Sequence, residues 1–240
     1  MPEQAERKAL AKGLQSLNEN MATLAELSEL AIRKAVDGLG RLDPGVADEV
    51  FTLDEEIYAL QLEIEKTCGD LIALHAPVAR DLRTITTSLK ITTDLDRIGR
   101  YAKDIAELTL QFGAREPDHR RNVGSIPRMA EMTIHMVDRA TRAFVERDAV
   151  SVRHIQEDDD SVDRLHDEIF DEIVRRMKEG TLEIEIGARY ILVTRYLERI
   201  ADHAVNIGIR VVYMVTGESP PRVRAADRTA TPPPRDSGKG

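Results

Sequence analysis

Apolar side chains recur along this chain at spacings of three and four. Leu10, Leu14, Leu17, Met21, Leu24, Leu27, Ala31, Ala35 and Leu39 fall on one stripe, the period of a helix with one buried face. The pattern predicts a first helix over residues 5–41. Asp43-Pro44 then reads as a capped restart with proline at the first helical position, followed by helices over 45–74 and 80–112. Gly113, Pro117 and Gly124 mark 113–125 as a linker. Beyond it the period predicts helices over 126–146, 149–178 and 182–216. Asp148 is the candidate N-cap of the fifth helix, and the last stops near Gly217. No stretch alternates apolar and polar as a strand does.

The six helices come in two sets of three. YLERIADHAVNI (196–207) aligns with DLDRIGRYAKDI (94–105) at an offset of 102. Upstream the offset is 105, matching Asp43 with Asp148, Asp54 with Asp159, Ile57 with Val162 and Leu60 with Leu165. A drop of three places the extra residues in the loop around 73–80, against 178–182 in the second copy. Ordered matches of acidic, basic and apolar residues point to an internal repeat. Long helices joined by short loops form antiparallel bundles. The expected fold is therefore all-α, two tandem, pseudo-symmetric antiparallel three-helix bundles. They divide the chain as 1–112 and 113–217, with a Pro-rich tail over 218–240 expected to be disordered.

Composition narrows the function. A formal net charge of −9 argues against general nucleic-acid binding and favours attraction of cations. Hydrophobic residues make up 42% and charged residues 32%, as in soluble helical proteins, and no apolar run is long enough to insert in a membrane. The single cysteine, Cys68, excludes a disulfide framework and a cysteine zinc site, and fits a reducing cytoplasm. The N-terminus lacks the apolar core of a signal peptide.

Two pairs of carboxylates carry the candidate chemistry. Asp159 and Asp163 lie four apart on the fifth helix, as do Glu198 and Asp202 on the sixth. Such a pair shares one helix face, and its mutual repulsion is relieved by a bound cation. Two pairs on facing helices would give an oxygen-rich site for a divalent or trivalent metal. With 43 acidic residues in 240, roughly eight such pairs arise by chance, so the weight rests on their matching places in the repeat. The first half matches them with only Asp54 and Asp96, since Tyr58 and Arg100 stand at the other two positions. Arg100 is expected to pair with Asp96 at i,i+4. His166 and His203 are weaker candidate ligands. No Gly-rich phosphate loop, nucleophile elbow or HExxH is present, so the chain does not read as an enzyme. The alternative is a carboxylate-bridged metal-binding protein or metalloenzyme.

The segment YLERIADHAVNI, together with LDEEIYAL (53–60) and DDDSVDRL (158–165), resembles the PhoU family of phosphate-uptake regulators over about residues 8–216. The resemblance implies a cytoplasmic, non-enzymatic negative regulator of phosphate uptake and phosphate-starvation signalling. It implies binding to the phosphate ABC transporter ATPase and its sensor histidine kinase, and a homodimer. It also implies an iron or zinc site on paired (E/D)-x-x-x-D motifs. Carried over, those positions are Asp159, Asp163, Glu198 and Asp202, with only Asp54 and Asp96 in the first half.

Overall fold

The computed structural model describes residues 2–112 and 124–218. Among them every regular element is an α-helix: α1 (Pro2–Arg41), α2 (Pro44–His75), α3 (Ala79–Phe112), α4 (Ile126–Glu146), α5 (Ile155–Lys178) and α6 (Ile184–Thr216). Helices α1, α2 and α3 pack on one another, as do α4, α5 and α6. The predicted linker, but for Gly124 and Ser125, and the tail from 219 lie outside the described residues.

Local chemistry sets the helix ends. Asp43 is extended and accepts from the Gly45 amide at 2.9 Å, with Pro44 opening α2. Helix α6 ends at Gly217, whose φ of 82° suits a residue without a Cβ. The stripe predicted for α1 is its core face, from Leu17 through Met21, Leu24, Ala31 and Ala35 to Leu39.

Two expectations are corrected. Helix α5 begins at Ile155, not 149. The Asp148 carboxylate accepts instead from the Val150 amide at 2.8 Å and the Ser151 amide at 3.4 Å, closing a run of turns over 149–154. The first-half stretch is helical because Pro44 presets φ. Ala149 stands there in the second half, and β-branched Val150 and Val152 follow it. The three extra residues of the first half are also not in its loop. Only 76–78 separate α2 from α3, whereas 179–183 separate α5 from α6. The helices of the second half are shorter instead.

The halves meet along α3 and α6, which run antiparallel, and along α1 and α4. Tyr101 stacks on Tyr196 with ring centroids 5.9 Å apart, and Phe112 meets Tyr190 at 4.7 Å. Asp94 on α3 is buried in this seam. It faces His203 Nδ1 at 2.9 Å and accepts from the Arg210 guanidinium. Matching helices thus meet back to back, and the α2–α3 and α5–α6 surfaces remain as two comparable faces.

Candidate metal centre

Helices α5 and α6 carry the four predicted carboxylates of the second half. Asp159 is fully buried on α5, and Gln156 Nε2 donates to its Oδ2 at 3.0 Å. Asp163 follows one turn later and is half-buried. On α6, Glu198 is held by the guanidinium of Arg195, three residues earlier on the same helix. His166 Nε2 reaches toward Glu198 from α5 at 3.8 Å, and both side chains are only about 15% exposed. Arg199 reaches Asp202 at 3.5 Å. The structure therefore brings His166 to Glu198, which sequence spacing alone did not pair.

His203 does not join this group. One residue on a helix turns the side chain by about 100°, and that step takes it from the face of Asp202 to the seam with α3. Burial pushes its imidazole below the usual pKa, opposed by Asp202 and reinforced by Arg97 and Arg199. The neutral ring meets Asp94 through Nδ1.

The first half is built differently at matching positions. Lys103 Nζ donates to Asp54 at 3.0 Å, and Arg100 Nε lies 3.0 Å from Asp96. The Asp96–Arg100 pair is the one expected from sequence. The repeat matches Lys103 with Val205 and Arg100 with Asp202, so both cations occupy places where the second half has none. A groove of 480 Å³ runs here, lined also by Glu55, Tyr58, Tyr101, Asp104 and Glu107. Burial raises the Asp96 carboxyl against the pull of Arg100. Burial and Glu107 raise Asp104.

The donor chemistry discriminates between the two faces. Carboxylates with an adjacent imidazole suit iron or zinc, and the second half sets His166 beside Glu198, with Asp159 and Asp163 earlier on α5. Among the described residues no three His, Cys, Asp or Glu side chains converge into a ready-made shell. Glu198 and Asp202 instead face arginines of their own helix. In kind, the second-half donors fit a metal. The first-half pair does not, because Lys103 and Arg100 already neutralise it. Sequence reasoning missed Arg195, Arg199 and Lys103. The Arg–x–x–acid spacing of the first two was a readable i,i+3 signal.

A family model described as the PhoU domain matches residues 21–109 and 126–211. A phosphate-specific transport system accessory protein PhoU homolog from Clostridium acetobutylicum is 32% identical over 213 residues, spanning 88% of this chain and 96% of the relative. PhoU homolog 1 from Mycobacterium tuberculosis is 32% identical over 209 residues, spanning 86% and 93%. The crystal structure of the phosphate transport system regulatory protein PhoU from Streptococcus pneumoniae superposes with a TM-score of 0.80 at 28% identity, covering 89% of this chain and all of that one. PhoU from Pseudomonas aeruginosa gives 0.80 at 29% identity, covering 87% and 99%.

Proposed function

The chain belongs to the PhoU family, and from that premise we propose that it is a non-enzymatic accessory regulator of phosphate transport. The observation that carries this reading is the family match across both halves, at 32% identity to accessory proteins of the phosphate-specific transport system. In this reading the protein acts in the cytoplasm. It restrains uptake and starvation signalling when phosphate is plentiful, by binding the transporter ATPase and the sensor histidine kinase, and works as a homodimer. No described helix is long and apolar enough to cross a membrane.

Asp159, Asp163, Glu198 and Asp202 are the donors assigned to an iron or zinc ion, with His166 beside them. When bound, the ion supplies positive charge that fastens α5 to α6. Arg195 and Arg199 orient the Glu198 and Asp202 carboxylates, and Gln156 orients Asp159. The first half needs no ion for the same fastening, since Lys103 of α3 reaches Asp54 of α2.

Affinity capture tests the regulatory reading. The tagged protein is expected to retain the transporter ATPase and the sensor kinase, in amounts that change with phosphate. Capture of neither at any phosphate level contradicts it. Turnover of a hydrolytic or redox substrate by the metal-loaded protein would favour the metalloenzyme alternative instead.

A further inference from the structure

The turns over 149–154 do more than delay α5. They leave a trough of 660 Å³ beside the C-terminal half of α6. Its floor is apolar: Val152, Ile155, Val205, Gly208, Ile209 and Val212. Val150 is 66% exposed at its edge, and Ile209 and Val215 are also exposed. The repeat shows what a solvated surface looks like at these positions. Val205 matches Lys103 and Ile209 matches Glu107. The second half has thus placed branched apolar side chains where the first half carries charges. Val152, Ile155 and Val205 are buried, and the apolar surface open to an occupant is that of Val150, Ile209 and Val215, of the kind that marks an interaction site.

The rim of the trough carries cations. Arg147 and Arg153 line it and form no ion pair among the described residues. The Arg147 side chain donates only to the Thr84 hydroxyl, at 2.8 Å. In the first half the matching residues are Leu42 and Asp48. Asp148, the acid of the rim, is engaged by the amides of Val150 and Ser151. The side facing an occupant is therefore apolar below and positive above, in a chain whose net charge is −9.

We propose that this trough is a docking groove for an amphipathic helix of a partner protein, with apolar side chains on one face and carboxylates along its edge. Val205, Ile209 and Val212 repeat at the helical spacing. From Val205 to Val215 the strip is about 15 Å long, roughly three turns of a partner helix. A concave trough accommodates an inserted helix better than a flat bilayer. The residues beyond 218 are a poor occupant by composition, with five cations, two acids and no large apolar side chain except Val223. The inference does not depend on metal at Glu198, nor on which protein the partner is.

The test uses the full chain and two fluorescent helical peptides with identical leucine positions, one flanked by glutamate and one by lysine. Two variants copy the first half, Ile209→Glu and Arg153→Asp. The Glu-flanked peptide is expected to bind the wild type saturably, at least about tenfold more weakly to each variant, and the Lys-flanked peptide not at all. No saturable binding of the Glu-flanked peptide overturns the proposal, as does equal affinity for wild type and Arg153→Asp, an exposed change expected to leave folding intact. Binding of phosphatidylglycerol vesicles with the same sensitivity to the variants would overturn it in favour of a membrane. Dissociation of a wild-type dimer by either variant, read by sedimentation, would overturn it in favour of a second copy.

Discussion

The Lys103 ammonium of α3 stands 3.0 Å from the Asp54 carboxylate of α2, at the level where the second half sets Val205 of α6 and buried Asp159 of α5. A lysine thus stands in one half where the other has a valine. Replacing Lys103 with methionine leaves a largely buried carboxylate without its cation. Because Lys103 is itself 38% exposed, a modest loss of about 1 kcal/mol is expected, read from urea unfolding. An unchanged midpoint would show that the pair contributes nothing.

A second prediction concerns how each half fills its core. A Cβ added to Gly99 would lie 2.8 Å from Ile57 Cδ1 and 3.3 Å from its Cγ2. The repeat matches this pair with Ala201 and Val162, both fully buried. One half uses the large–small combination and the other the more even one. Gly99→Ala alone is expected to cost about 1–3 kcal/mol through overpacking, and Ile57→Val alone about 1 kcal/mol. The double variant should cost clearly less than the sum. Strict additivity in the double-mutant cycle would refute this coupling.

Asp94 ties the halves together through His203 and Arg210. Removing its carboxylate as Asp94→Ala leaves a half-buried guanidinium without its counter-charge across the α3–α6 seam, where only the Lys90 carbonyl remains to accept from it. Breaking a pair of this kind costs about 3 kcal/mol, and unfolding in urea should show it. A loss under about 0.5 kcal/mol would mean that the seam is held by packing alone.

Glu29 of α1 faces α4, where Thr141 Oγ1 donates to it at 3.4 Å. Burial first, and Asp138 second, raise its pKa above 4.5. The folded state therefore binds this proton more tightly than the unfolded chain, so this group's contribution favours folding as pH falls toward 4.5 and is lost as pH rises through the folded value. Glu29→Gln should raise the melting temperature at pH 7 and flatten the pH profile above 4.5. A variant less stable at pH 7 would reverse the sign of this effect.

The legible parts of the fold were those with strong local chemistry. The α1 stripe, the Asp43-Pro44 cap and the Gly217 stop place helix ends within a few residues of their observed positions. The start of α5 was not legible, because Asp148 is an equally good acceptor for a turn and for a helix. Only the following β-branched residues favour the turn. Counting the offset revealed three extra residues in the first half but not that they lengthen helices. The i,i+4 spacing of Asp159 with Asp163, and of Glu198 with Asp202, was legible on each helix. The alliance of His203 with Asp94 was not, since it depends on how α6 meets α3, 109 residues away in sequence.

The asymmetry of the two faces is tested most directly by metal content. Purified protein is stripped, reloaded with iron or zinc, desalted and assayed by elemental analysis beside two double variants, Glu198→Ala/Asp202→Ala and Asp54→Ala/Asp96→Ala. Wild type and the first-half variant are expected to retain equal metal, and the second-half variant to lose it. Equal metal in all three, or loss confined to the first-half variant, would contradict the assignment.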